Sequence, residues 1–224
     1  YLNSKQILNL ILISKGLYKN RNKIILSELK FYNINKANKF IIKGLYCDNI
    51  SKSIKTINKL KSVEYLKLKN LDTTSLEKIS NKITKLIIMN KEYDINKIKV
   101  PESIRYLKIG CAYDCILDLS KCKDLEYLEI EVDNETELKL PNHDIKDFIV
   151  KMSDNFEEFE HKNKVTYLKY GDYEQNNIPY FGHKLTDYNK LKTIDIKCKC
   201  DKETLNIKIH NKAIETLNLD IMIN

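Results

Sequence analysis

One arrangement of apolar and polar positions recurs along the chain: apolar, two variable residues, apolar, one variable residue, apolar. It is carried by Val63, Leu66 and Leu68, then by Ile83, Leu86 and Ile88, and by Ile104, Leu107 and Ile109. Further copies are Leu125, Leu128 and Ile130; Ile145, Phe148 and Val150; Val165, Leu168 and Tyr170; Leu191, Ile194 and Ile196; and Ile214, Leu217 and Leu219. A weaker copy, Ala37, Phe40 and Ile42, precedes them. From Leu66 to Leu217 the central residues are separated by steps of 20, 21, 21, 20, 20, 26 and 23. The last two apolar residues of each copy lie two apart, so they share one face of a short strand. A strand every twenty-odd residues has nothing of its own to bury that face against. Stacked in parallel, successive strands bury it together and satisfy each other's backbone.

A second apolar pair precedes several of these strands: Ile98 and Val100, Leu117 and Leu119, Leu138 and Leu140, Ile207 and Ile209. It marks the return side of each coil. The space is too short for a full helix, so it predicts strand-like or 3₁₀ segments, two of them ended by Pro101 and Pro141. In the 26-residue step, an insertion carries Tyr173, Tyr180, Phe181 and Tyr188, which either cover the core or add to a binding side.

The phrase resembles a leucine-rich repeat over residues 37–224, and is most similar to the irregular FNIP-like subtype. Pro101 precedes a strand phrase, Gly110 follows it, and Tyr113-Asp114 and Tyr93-Asp94 stand where that family has an aromatic-Asn pair. Asn70, Asn90, Cys111 and Cys198 fall one place before the usual Asn or Cys. The resemblance implies an α/β solenoid with a parallel sheet on its concave side. Short strand-like or 3₁₀ segments would form the convex side, and Cys111 and Cys198 would be small buried residues at equivalent turns after the strands. Residues 1–36 lack the phrase and are expected to form an N-terminal helical cap: Ser4 to Leu12 is apolar nearly all round, with Asn3 or Ser4 as its N-cap. The stretch from Leu10 to Tyr18, with Ile13-Ser14-Lys15, resembles the latter part of an F-box, which implies a substrate-recognition subunit of a ubiquitin ligase.

Residues that alternate with the buried ones line the concave face of such a solenoid. The first lining column reads Tyr65, Lys85, Tyr106, Tyr127, Asp147, Tyr167, Thr193 and Thr216; the next holds Lys67, Ile87, Lys108, Glu129, Ile149, Lys169, Asp195 and Asn218. Tyrosine supplies contact area at small entropic cost. The candidate partner-binding residues are therefore Tyr65, Lys67, Tyr106, Lys108, Tyr127, Glu129, Tyr167 and Lys169. They point to a non-enzymatic protein-interaction scaffold with a protein partner.

Composition sharpens this picture. The chain has 224 residues, 42% of them hydrophobic and 14 of them Tyr, which is ample for a core and excludes a wholly disordered chain. No apolar run is long enough for a membrane span. Residues 1–110 carry 23 basic and 8 acidic residues, a net of +15, whereas residues 111–224 carry 16 and 23, a net of −7. The basic half raises nucleic-acid binding as an alternative. Against it, only Arg21 and Arg105 among the 39 basic residues offer the bidentate fork suited to bases and phosphates. The six cysteines fit no zinc pattern and read as reduced thiols of a cytoplasmic protein. No Gly-rich phosphate loop, nucleophile elbow or His-Glu-x-x-His pair is present. No catalytic, cofactor-binding or metal-ligating residue is assigned, no cofactor is expected, and the chain is not read as an enzyme.

Overall fold

The computed structural model describes residues 25–26, 28–30, 41–48, 54–60, 62–71, 76–79, 82–91, 97–110, 114–132, 135–152, 159–171, 182–200 and 211–223, with single positions at 6, 9, 14, 16 and 19. From Leu66 to Leu219 the last two apolar residues of each copy lie on a strand. In chain order the strands are β1 (Ile25–Leu26), β2 (Leu29–Lys30), β3 (Ile41–Ile42), β4 (Gly44–Cys47), β5 (Tyr65–Leu71), β6 (Lys85–Lys91), β7 (Lys97–Lys99) and β8 (Tyr106–Ile109). They continue with β9 (Ile116–Asp118), β10 (Tyr127–Val132), β11 (Glu137–Lys139), β12 (Asp147–Met152), β13 (Tyr167–Tyr170), β14 (Thr193–Cys200) and β15 (Thr216–Ile223). Ten of them form one sheet in the order β15-β14-β13-β12-β10-β8-β6-β5-β4-β2, and β11-β9-β7 form a second. Every pairing in the two sheets is parallel. The chain is a parallel β-solenoid.

The return side carries predicted short segments at β7, β9 and β11, and 3₁₀ turns at Leu76–Lys78, Lys162–Lys164 and Gly182–Asp187, while the one expected at Ile207 and Ile209 lies outside the described residues. Helix is scarcer than an α/β solenoid implies; α1 (Ile54–Lys59) is six residues long. Of the expected N-terminal cap, Gln6, Asn9, Gly16 and Lys19 are helical, and the apolar positions of Ser4 to Leu12 lie outside the described residues, as does most of the F-box-like stretch. The sheet itself reaches into the segment 1–36, because β2 pairs with β4.

Two registers differ from the sequence pattern. Leu45 and Cys47 pair with Leu66 and Leu68, so the early copy is Ile42, Leu45 and Cys47, not Ala37, Phe40 and Ile42. A cysteine in the third apolar place hid it; Cys47 is 1% exposed and packs as a small apolar residue. The second difference is a slip of two residues. Leu168 faces Val150, not Phe148, and Tyr167 faces Ile149, not Asp147. Thr166 then sits beside Phe148, where its hydroxyl accepts the Phe148 N–H at 2.9 Å. An even slip keeps every side chain on its own face, so it leaves the core intact.

The core fills the space between the sheets. Leu45, Leu66, Leu86, Leu107, Leu128 and Phe148 form one fully buried row, and Val63, Ile83, Ile104, Leu125, Ile145, Val165 and Leu191 form another. From the return side come Leu76, Ile98, Leu117, Leu119, Leu138, Leu185 and Tyr188, so this aromatic of the insertion covers the core. At the start of most strands one carbonyl accepts two successive amides of the next coil. Arg105 O takes Glu126 N at 2.9 Å and Tyr127 N at 3.0 Å, and Lys43, Glu64, Thr84, Thr166 and Lys192 do the same. At two strand ends only glycine fits: a Cβ on Gly110 would lie 2.2 Å from Met89 O, and one on Gly171, with φ of +86°, 2.1 Å from Lys197 O. Asp114, the acidic member of the Tyr-Asp pair, has φ of 45°, which Asp tolerates better than most residues. Cys198 lies inside β14, not in a turn, which corrects its expected place.

The stacking argument makes position in the array, not residue type, decide stability. Leu107 is 0% exposed and Leu217 is 42% exposed at the equivalent strand position. Leu107→Ala is expected to cost about 2–5 kcal/mol in urea unfolding, and Leu217→Ala under about 1 kcal/mol.

Candidate functional site

The outer face of the ten-stranded sheet, opposite the core, carries all eight candidate residues. Each is half-buried and next to a buried core residue: Tyr65 and Lys67 on β5, Tyr106 and Lys108 on β8, Tyr127 and Glu129 on β10, Tyr167 and Lys169 on β13. The alternation of the strand fixes this orientation. Pairing brings Tyr106 beside Tyr127, and their rings stack at 4.1 Å with 4° between planes. Tyr65 is separated from Tyr106 by Lys85, whose Nζ lies 5.3 Å from the Tyr65 ring and 4.3 Å from the Tyr106 ring. Tyr167 does not join this ladder. The register slip sets it beside Ile149 on one side; on the other it pairs with Thr193, and its hydroxyl donates to Asp195.

A polar cluster centres on Glu129, whose side chain is 16% exposed. Its Oε1 accepts from Lys108 Nζ at 2.9 Å and from Lys169 Nζ at 3.2 Å, and its Oε2 accepts from the Tyr127 hydroxyl at 2.8 Å. Burial opposes the charge of this carboxylate, but the bonds from Lys108, Tyr127 and Lys169 outweigh it and hold its pKa below the usual carboxylate range. Beyond it the charges pair across strands. Lys151 meets Glu131 at 3.0 Å, and Lys197 meets Asp220 at 3.6 Å.

The early half is built differently. Tyr46, which the sequence reading did not single out, lies between Lys30 at 6.0 Å and Lys67 at 5.7 Å from its ring centre. Its signal was Leu45 and Cys47 as flanking core residues, which place Tyr46 on the outer face. Gly44, opposite Tyr65, has no side chain, and the Tyr65 hydroxyl bonds Glu28. Met89, at 44% exposed, stands beside half-buried Ile87 on the same face.

Elsewhere the chemistry is quiet. Among the described residues no three His, Cys, Asp or Glu side chains are grouped to hold a metal, and no helix is long and apolar enough to cross a membrane. Cys47, Cys115 and Cys122 are buried thiols. Burial, then Glu102 and Asp118, pushes the Cys122 thiol up to about 11, far from a reactive thiolate. Neither a protein-family model, nor a curated protein, nor a solved structure matches this chain.

The tyrosines of the face give a measurable pH signature. Burial, then Glu28, pushes the Tyr65 phenol up to about 12; burial, then Asp195, does the same for Tyr167. Because the folded state favours the neutral phenol, its stabilising effect is whole below pH 10 and vanishes as pH rises to about 12. Absorbance titration at about 295 nm should show a phase near pH 12 that Tyr65→Phe with Tyr167→Phe removes, ahead of the still later Tyr127 and Tyr188, and unfolding in urea should return it to the ordinary phenol range.

Proposed function

We propose that this chain is a leucine-rich-repeat-type solenoid that serves as a non-enzymatic protein-interaction scaffold, with the outer sheet face as its contact surface. The single observation that carries this reading is the continuous aromatic and charged array from Tyr46 to Tyr167 on a rigid sheet. Side chains already ordered by stacking, cation–π contacts and ion pairs lose little freedom on meeting a partner. Tyrosine in such a setting is the residue type most often found at binding hot spots. A non-enzymatic role is supported by the ionisable groups of the face. Tyr65, Tyr127 and Tyr167 are moved further above neutrality and Glu129 further below it, so none of these is tuned to exchange protons near pH 7. The buried thiols Cys47, Cys115 and Cys122 support a reducing, cytoplasmic setting.

The test is Tyr106→Ala combined with Tyr127→Ala. The pair loses about 0.5–1.5 kcal/mol of stacking and the Tyr127 bond to Glu129, which keeps its two lysines, so circular dichroism should be unchanged while melting is lowered. Affinity capture by the intact protein from its own cells should lose its specific partner with this variant. Undiminished capture would overturn the reading.

A further inference from the structure

The outer face is electrically divided, and the division names the chemistry of its partner. From β8 to β15 four cations of the face are answered from within: Lys108 and Lys169 by Glu129, Lys151 by Glu131, Lys197 by Asp220. From β2 to β6 they are not. Lys30, Lys67 and Lys85 lie over tyrosine rings, and among the described residues none of the three is paired with a carboxylate. Lys69 is exposed on the same face. Glu28 is drawn into this half and engaged by Tyr65, and the exposed Asp48 follows β4 beside the end of β5. Ile87 and the exposed Met89 supply an apolar centre between the lysines.

We propose that the patch formed by Lys30, Lys67, Lys69 and Lys85 around Ile87 and Met89 binds an acidic, extended segment of a protein partner that carries an apolar anchor. The inference rests on the interaction-scaffold reading and adds the partner's chemistry to it. A lysine over a ring keeps its full charge, and a carboxylate can approach it without first displacing an ion pair. The four strands from β2 to β6 span three inter-strand spacings, or about 14 Å, which an extended chain crosses in about four residues. Single-stranded nucleic acid shares the negative charge, but it binds such faces by stacking bases on aromatic rings. Here two of the three rings of this half are occupied on both sides, and the third, Tyr65, is covered on one side by Lys85. Tyr106 is held between Lys85 and Tyr127, and Tyr46 between Lys30 and Lys67, each flanked from both neighbouring strands.

The experiment is fluorescence anisotropy of the full chain with a labelled peptide that has a central Leu-Phe pair between runs of Glu and Asp. Controls are the same peptide with Lys for each acid, and oligothymidylate of similar length. The acidic peptide should bind. Lys67→Gln with Lys85→Gln should weaken it about tenfold with unchanged circular dichroism, whereas Lys197→Gln should leave it unaltered. Equal binding of the basic peptide, full binding by the double lysine variant, or tighter binding of oligothymidylate would each overturn the proposal. Absence of peptide binding, in a protein whose partner capture still depends on Tyr106 and Tyr127, would sink the acidic-partner inference and leave the scaffold reading standing. Absence of both would sink the two together.

Discussion

No coil of this protein completes its own hydrogen bonds or covers its own leucines; both come from the next coil along. The paired amides that converge on Lys43 O, Glu64 O, Thr84 O and Arg105 O lock the start of one strand to the residue before the next. That junction sets the register, and the register sets which side chains point inward. Stability in such an array is a chain of neighbour terms, so it is weakest where a neighbour is missing. β15 is the edge strand of the described sheet. Leu217 and Leu219 are 42% and 46% exposed, although Ile194 and Ile196, their partners on the preceding strand, are fully buried.

The same junctions explain why the outer face is ordered. With strands in parallel register, side chains of successive coils stand about one inter-strand spacing apart, close enough for stacking and ion pairs to form in rows. Tyr106 on Tyr127 and Lys108 on Glu129 are adjacent rows of one strand pair. The two-residue slip between β12 and β13 interrupts those rows without disturbing the core. It sets Tyr167 beside Ile149 rather than Asp147, while on the other side, in unslipped register with β14, Tyr167 donates to Asp195.

Periodicity made most of the fold legible. Val63 to Leu219 carry the repeat in plain form, and the strands β5 to β15 of the main sheet follow it. What periodicity left open has physical causes. Cys47 and Gly44 disguise the coil of β4, because a small buried thiol and a residue without a side chain do not register as apolar pattern. The slip at β13 was illegible because either alignment buries Leu168; the choice falls to Thr166, whose hydroxyl satisfies the Phe148 backbone in the slipped register. The eight candidate residues were legible as a face by alternation alone. Their grouping was not, since stacking, cation–π contacts and the Glu129 cluster depend on cross-strand neighbours twenty or more residues away.

The energetic contrast between the halves decides where selectivity resides. Glu129 is mostly buried and accepts three bonds, two of them from charged donors, each of a kind worth about 1.5–3 kcal/mol. A partner that recruits Lys108 or Lys169 must first weaken that cluster and leave a buried carboxylate short of donors. Lys67 and Lys85 give up only a ring contact, worth about 0.5–1 kcal/mol at exposed sites, and can retain it while meeting a carboxylate. The Glu129 half therefore acts as a rigid, self-neutralised shoulder, and the lysine–tyrosine half is the part of the face with charge left to offer.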